Sequence, residues 1–261
     1  MKKAFIFLII FISLVYLYGK YIEPYSFKVR EYAITNERIP ESFDGYKIIH
    51  FTDLYYNGDK LDKIVNHINE LNTDLIVFTG NLLSSDIDKD SLDKLVSYLN
   101  QIDSKYGIYA VKGSNDNNDN YNYILENTNI NLLENNFIYL YNEDITPIML
   151  IGLDNNIDIE KAFNYEDNEY YKIVLSHKPD NFDLISTYKP DLFLAGTSLN
   201  GQVRLPLIGA LYKFDGAKKY YDSIYLVDNS TIYISNGLGN PKYNFRLFNT
   251  PSINFYRLYN K

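Results

Sequence analysis

The feature that most constrains the fold is a recurring way of ending. The runs "YKIIHF", "DLIVFTG", "GIYAVKG", "FIYLY", "IMLIGL", "YKIVLSH", "DLFLAG" and "TIYIS" are each of strand length and rich in β-branched and aromatic residues. Between the early runs lie "KLDKIVNHINELN" and "DSLDKLVSYLNQI". Their apolar positions recur at i, i+3, i+4 and i+7, which predicts helices with one buried face. Strands alternating with helices predict an α/β fold with parallel pairing. Five runs then break off into polar residues: Asp53 after "IIHFT", Asn81 after "IVFTG", Ser114, Asn115 and Asp116 after "YAVKG", His177 after "IVLS", and Thr197 after "LFLAG". Ligand crevices of open α/β sheets lie beyond the carboxyl ends of the strands, so these five tips are expected to meet at one site.

A chain of 261 residues is long enough for one large domain. Its net charge of −8 argues against a nucleic-acid partner, whose phosphate backbone requires a clustered basic excess. With no cysteine it has no disulfide framework, no thiolate metal site and no cysteine nucleophile. No Gly-rich phosphate loop of the G-x-x-x-x-G-K or G-x-G-x-x-G kind occurs.

The amino-terminal stretch "MKKAFIFLIIFISLVYLYGK" sets Lys2 and Lys3 ahead of an apolar run from Ala4 to Tyr18, with Tyr16, Tyr18 and Tyr21 suited to a membrane interface. As a helix that run reaches about 22 Å, short of a hydrocarbon core of about 30 Å. A cleaved signal peptide is the alternative, but Leu17-Tyr18-Gly19 lacks the small residues of a cleavage site. The expectation is an uncleaved, single-pass anchor over 1–20, a linker and first strand over 21–39, and a domain over 40–261. The two lysines place that domain on the extracytoplasmic side of the cell membrane, with the lipid bilayer as the partner of the anchor.

From about Pro40 onward the order of the tips resembles the calcineurin-like metallophosphoesterases, in particular a branch carried on an amino-terminal membrane anchor. "YKIIHFTDLY" resembles the strand and D-x-H of that family, "LNTDLIVFTGNLL" the approach to G-D, and "YGIYAVKGSND" the approach to G-N-H-[DE]. "VLSHKPD" resembles the later His motif, "LFLAGTSLNGQVRLP" the G-H-x-H and G-G-Q segment, and "ISNGLGNPKYNFRLF" the carboxyl-terminal Gly-x-Gly and Arg stretch. The resemblance implies a four-layer α/β/β/α sandwich and a two-metal centre that hydrolyses phosphate esters. It also implies that Gly201, Gln202 and Arg204 line the pocket.

The ligand positions that the resemblance assigns are mostly changed. Asp53 and His177 are retained, Tyr55 and Asn81 replace a histidine and the metal-bridging aspartate, and Ser114 replaces an asparagine. Asn115 stands at the histidine that assists the leaving group, with Asp116 kept beside it, and Thr197 and Leu199 stand at the two histidines of G-H-x-H. Two dications about 3.5–4 Å apart repel by roughly 20 kcal/mol at an effective dielectric near 20, so a bridging anion is needed. A neutral Asn81 is not one, and Leu199 has no donor atom. Of the three histidines, His67 lies in an amphipathic helix and His50 inside a strand, which leaves His177 as the one placed to act.

Polar, neutral replacements leave a pocket that satisfies itself by hydrogen bonds rather than a nest of uncompensated carboxylates. Asp53 is expected to pair with His177 directly or through Asn81. The expectation for function is therefore a pseudoenzyme without a cofactor, binding a phosphate-bearing envelope ligand or supporting an active homologue. The alternative is a divergent phosphoesterase with one Mn²⁺ or Mg²⁺ on Asp53, His177 and oxygen donors such as Asp116. Lys112, Lys178 and Arg204 are the cations near the tips in sequence.

Overall fold

The computed structural model describes residues 2–59, 61–116, 119–165, 169–241 and 243–261. Two six-stranded sheets face each other. The first has the order β1 (Lys28–Thr35), β14 (Ser252–Tyr259), β2 (Lys47–Phe51), β3 (Leu75–Phe78), β4 (Ile108–Ala110), β5 (Ile130–Leu132). The second has the order β12 (Ile224–Val227), β13 (Ser230–Ile234), β9 (Leu192–Ala195), β8 (Tyr171–Ser176), β7 (Ile148–Leu153), β6 (Asn136–Leu140). Strands β2 to β5 run parallel, as do β7, β8, β9 and β13, so the carboxyl ends within each set point the same way.

Central strands are apolar throughout because both of their faces are covered. On β2, Ile48 and His50 face the layer between the sheets while Ile49 and Phe51 pack beneath the helices, and all four are buried. The helices α2 (Asp62–Glu70), α3 (Lys89–Leu99) and α4 (Asp119–Asn127) cover the first sheet. Helix α3 shows why: Leu92, Leu95 and Leu99 make its buried stripe, and the Asp88 carboxylate caps it by accepting the Ser91 amide at 2.8 Å. The shorter α5 (Ile159–Ala162) and α6 (Phe182–Ile185) cover the outer face of the second sheet through Ala162, Phe182 and Ile185. Helix, sheet, sheet and helix layers thus enclose three apolar cores, the four-layer sandwich that the sequence implied.

The amino-terminal helix α1 (Lys2–Tyr21) is longer than its apolar run, and its 20 residues reach about 30 Å. It is long and apolar enough to cross a membrane, with nearly all of its side chains exposed. The segment that follows, read from the sequence as a linker and first strand over 21–39, carries strand β1 of the first sheet. Strand β1 pairs with β14 from Lys28↔Ser252 to Thr35↔Tyr259. Ahead of it, Glu23 is buried and accepts the amides of Phe248 (2.8 Å) and Asn249 (2.6 Å). The folded unit therefore begins where α1 ends. Gly19 is the hinge point of that contact, because any side chain there would collide with the Phe245 ring and the Arg246 carbonyl.

Candidate functional site

The five tips meet at one end of the sandwich. Strand β2 delivers Asp53, β3 delivers Asn81 through Gly80, β4 delivers the turn after Gly113, β8 delivers His177, and β9 delivers Thr197 through Gly196. Asp53, Tyr55, Asn81, Thr197 and Leu199 all have left-handed backbone, with φ of 51, 45, 57, 57 and 46°. That region is costly for a tyrosine, a threonine or a leucine, and such strain gathers at functional sites. The turns also come very close: a Cβ on Gly113 would collide with the Asn81 backbone and one on Gly196 with Thr52 Oγ1.

At the centre stands the Asn81 side chain. Its Oδ1 accepts the Asn115 backbone amide at 3.1 Å, which fixes the orientation of the carboxamide. Nδ2 then faces three acceptors: Asp53 Oδ1 at 2.9 Å, the Tyr55 hydroxyl at 2.6 Å and His177 Nε2 at 3.0 Å. His177 Nδ1 lies 2.7 Å from the Thr79 carbonyl, which only accepts, so Nδ1 carries the proton and Nε2 is left to accept. Nε2 also receives the Thr197 hydroxyl at 2.5 Å. Asp53 Oδ2 takes the Thr197 amide at 2.8 Å and the Thr52 hydroxyl at 3.0 Å. Asp53 and His177 are thus joined through Asn81, the second of the two routes expected from the sequence.

The cluster is closed to solvent: Asp53 is 0% exposed, His177 2%, Asn81 3% and Thr197 8%. Burial, then the charge of Asp53, push the Tyr55 phenol well above its ordinary pKa, so it does not ionise to serve as a ligand. A cavity of about 640 Å³ lies alongside, between the exit of α1 and the β2 tip, and of the cluster it is lined by Tyr55 alone.

Other candidate residues are turned elsewhere. Asp116 commits its carboxylate to the backbone amides of Asn81 (2.6 Å), Leu82 (2.9 Å) and Gly113 (2.8 Å). Burial raises its pKa, an effect those amides partly offset. It braces the β3 and β4 tips with its carboxylate oxygens on backbone amides. Ser114 is exposed on its turn, and Asn115 joins the cluster by its backbone. Leu199 is fully buried, with its methyl close to Gly237 on the flank of Asp53. Gly201 and Gln202 line a separate apolar cleft, and Arg204 pairs with Asp222 at 2.8 Å. Lys112 pairs with Glu134 at 2.5 Å, and the Lys178 stem packs on Gly216.

Two contributors, Thr79 and Arg246, escaped sequence reasoning. Thr79 links the histidines, its carbonyl receiving His177 and its hydroxyl meeting His50 Nε2 at 2.8 Å. His50 itself stays between the sheets, where burial lowers its pKa to about 3. Arg246 is fully buried, donates to the carbonyls of Asn236 (2.8 Å) and Gly239 (2.6 Å), and feels the charges of Asp53 and Glu23 against a burial that lowers its pKa to about 10. It lay inside the quoted "ISNGLGNPKYNFRLF", but nothing local in that stretch marks an arginine as interior.

The donor set does not fit a two-metal centre. The Asn81 amide nitrogen holds the place between Asp53 and His177, and among the described residues no group of three or more His, Asp or Glu side chains comes together as a metal site.

A four-layer sandwich that brings the tips of β2, β3, β4, β8 and β9 to one site is the arrangement that the resemblance to calcineurin-like metallophosphoesterases implied, and the chain is similar in sequence to proteins named metallophosphoesterases. It is 27% identical over 255 residues to the uncharacterized metallophosphoesterase YkuE of Bacillus subtilis, a match that covers 93% of this chain and 89% of that one. A transmembrane protein with metallophosphoesterase domain from Danio rerio is 26% identical over 236 residues, 81% of this chain and 53% of its own length. A further uncharacterized metallophosphoesterase of Bacillus subtilis, YkoQ, is 25% identical over 234 residues, covering 81% of this chain and 83% of that one. A solved crystal structure shares the fold at a TM-score of 0.50 and 14% identity, over 74% of this chain and 91% of its own. No family model matches the chain.

Proposed function

We propose that this chain is a membrane-anchored, extracytoplasmic protein of metallophosphoesterase fold that has given up hydrolysis and acts as a pseudoenzyme, binding an envelope ligand or supporting an active homologue. One observation carries this reading: the Asn81 amide nitrogen stands 2.9 Å from Asp53 Oδ1 and 3.0 Å from His177 Nε2, where it donates a hydrogen bond to each acceptor in a place a cation would otherwise take. The anchor rests on α1, on Lys2 and Lys3 ahead of it, and on relatives whose names include a transmembrane segment. Lys112 and Arg204 have acidic partners, so of the three cations near the tips Lys178 is the one left to attract a phosphate group.

A second reading has one observation in its favour. The His177 tautomer presents an Nε2 lone pair to the cluster, as a metal ligand does, so a single Mn²⁺ or Mg²⁺ on Asp53 and His177 would make a divergent phosphoesterase if the Asn81 amide were displaced.

The full-length chain in detergent separates the two. Bound metal is measured by mass spectrometry, and a generic phosphodiester is assayed with Mn²⁺ beside the combined variant Tyr55→His, Asn81→Asp, Ser114→Asn, Asn115→His, Thr197→His and Leu199→His. A metal-free, inactive parent together with a metal-binding variant supports the pseudoenzyme. Turnover by the parent that vanishes in Asp53→Ala overturns it.

A further inference from the structure

Beside the exit of α1 the domain carries a surface that its own fold leaves uncovered. The short hairpin of β10 (Arg204–Leu205) and β11 (Gly209–Ala210) ends in Pro206, Leu207 and Ile208. Leu207 is 108% exposed and Ile208 70%, a pair of large apolar side chains held fully out from the protein. Leu211 and Tyr212 behind them, and Tyr243 and Phe248 on the carboxyl-terminal loop, are exposed as well. A contiguous exposed apolar surface of this kind marks a contact with something apolar.

Contacts join this surface to α1. Phe245 stacks on Tyr16 at 5.8 Å and meets Gly19, and it also lines the apolar cleft of about 600 Å³ that Tyr212, Phe214 and Tyr243 share. The hairpin is tied to the same loop by the Arg204 amide on the Leu247 carbonyl at 2.9 Å and by Gln202 Nε2 on the Phe245 carbonyl at 3.0 Å. Helix exit, loop and hairpin therefore form one connected face.

Charge points to the occupant. Of the four cations in residues 204–219, Arg204 pairs with Asp222 at 2.8 Å and Lys219 with Asp183 at 2.7 Å, which leaves Lys213 and Lys218 against the single acid of that stretch, Asp215. Lys213 lies 3.7 Å from the Tyr221 ring centroid and Lys218 5.6 Å from that of Tyr212. An apolar tip backed by aromatic rings and a basic collar is the signature of a segment that enters a lipid interface.

We propose that the β10–β11 hairpin is a second membrane contact, which inserts Leu207 and Ile208 into the bilayer that holds α1 and lays the lysines against anionic headgroups. This rests on the reading of α1 as an anchor, and the test separates the two. The chain has no cysteine, so single substitutions label uniquely. Leu207→Cys, Ile208→Cys, Ile9→Cys on α1, and Glu143→Cys on the far β6–β7 turn are each made in the full chain. Each carries an environment-sensitive fluorophore and is reconstituted in phosphatidylcholine–phosphatidylglycerol vesicles with or without spin-labelled lipid. The expected result is strong quenching at position 9, at least twofold more quenching at 207 and 208 than at 143, and blue-shifted emission at both hairpin positions. Quenching at 9 with solvent-like emission at 207 and 208 overturns the hairpin contact and leaves the anchor standing. No quenching at any position overturns both, and energy transfer between copies at 207 in place of lipid quenching assigns the face to a second copy and overturns the bilayer.

Discussion

Asn81→Asp puts the central claim to the hardest test, because it restores the residue an active site would need while changing only a few atoms. The amide nitrogen that donates to Asp53 Oδ1 at 2.9 Å becomes an oxygen. Two carboxylates at that 2.9 Å separation would repel by about 6 kcal/mol at an effective dielectric near 20. The protein has a cheaper course, since binding one proton at pH 7 to a carboxyl of ordinary pKa near 3.9 costs about 4 kcal/mol. The protonated variant keeps its hydrogen bond, so about 4 kcal/mol is the expected destabilisation. That corresponds to a fall of roughly 8–16 °C in Tm for a domain of this size.

The sign with pH is opposite to acid denaturation. The folded variant holds a proton that the unfolded chain has lost, so its deficit shrinks as pH falls, from about 4 kcal/mol at pH 7 to about 1.5 at pH 5. Thermal unfolding of the full chain in detergent, followed by circular dichroism at both pH values in chelator, reads this directly. A variant as stable as the parent at pH 7 without metal would refute the reasoning, since it would mean that the Asn81 nitrogen does not face the carboxylate.

Two further outcomes follow from buried geometry. His50 is neutral in the fold, with a pKa lowered by burial to about 3, and takes up a proton near pH 6.5 once unfolded. Its contribution to stability is complete above pH 6.5 and drains away as pH falls, by about 2 kcal/mol at pH 5, so His50→Gln should flatten the acid limb of unfolding curves by that amount. Gly196→Ala drives a methyl group against Thr52 Oγ1 and to 2.9 Å from Asp53 Oδ2, for a cost of about 1–3 kcal/mol and a shifted His177 ring resonance by NMR. Gly209→Ala, where the one neighbour in reach is an arginine side-chain end at 3.6 Å and the strain of φ 84° remains, should leave that resonance in place.

Strands buried on both faces were legible because their sequences are nearly uniform, as in β3 with Leu75, Ile76, Val77 and Phe78. Two strands of mixed composition were not. In β1, "KVREYAIT" mixes charge with apolar residues because it borders the sheet and exposes much of its surface, and its partner β14 carries Asn254 and Arg257 among apolar residues. The tips that meet at the site were visible as polar residues after apolar runs. Their orientations were not, because Asp53, Asn81 and Thr197 leave the strand period through left-handed backbone, after which alternation no longer says where a side chain points. Glu23 and Arg246 were illegible for another reason. Glu23 is interior because backbone amides from a distant segment close on it, and Arg246 because the carbonyls of its own loop wrap its guanidinium, and neither arrangement leaves a periodic pattern in the sequence.

The replacements at the site make sense together rather than one at a time. Divalent cations let acceptors crowd one another, and without them each acceptor needs a proton between it and the next. Asn81 supplies two protons to Asp53, Tyr55 and His177, Thr197 supplies its hydroxyl to His177 and its amide to Asp53, and Leu199 fills the flank with a group that asks for none. Restoring any single ligand therefore introduces an acceptor with no donor, or an imidazole where a methyl is packed, and loses stability before it gains affinity for metal. Positions that share partners in this way do not contribute additively. On the proposed reading, installing a metal centre is thus uphill at each separate step, because each added acceptor needs a donor that the hydrogen-bonded cluster does not have to spare.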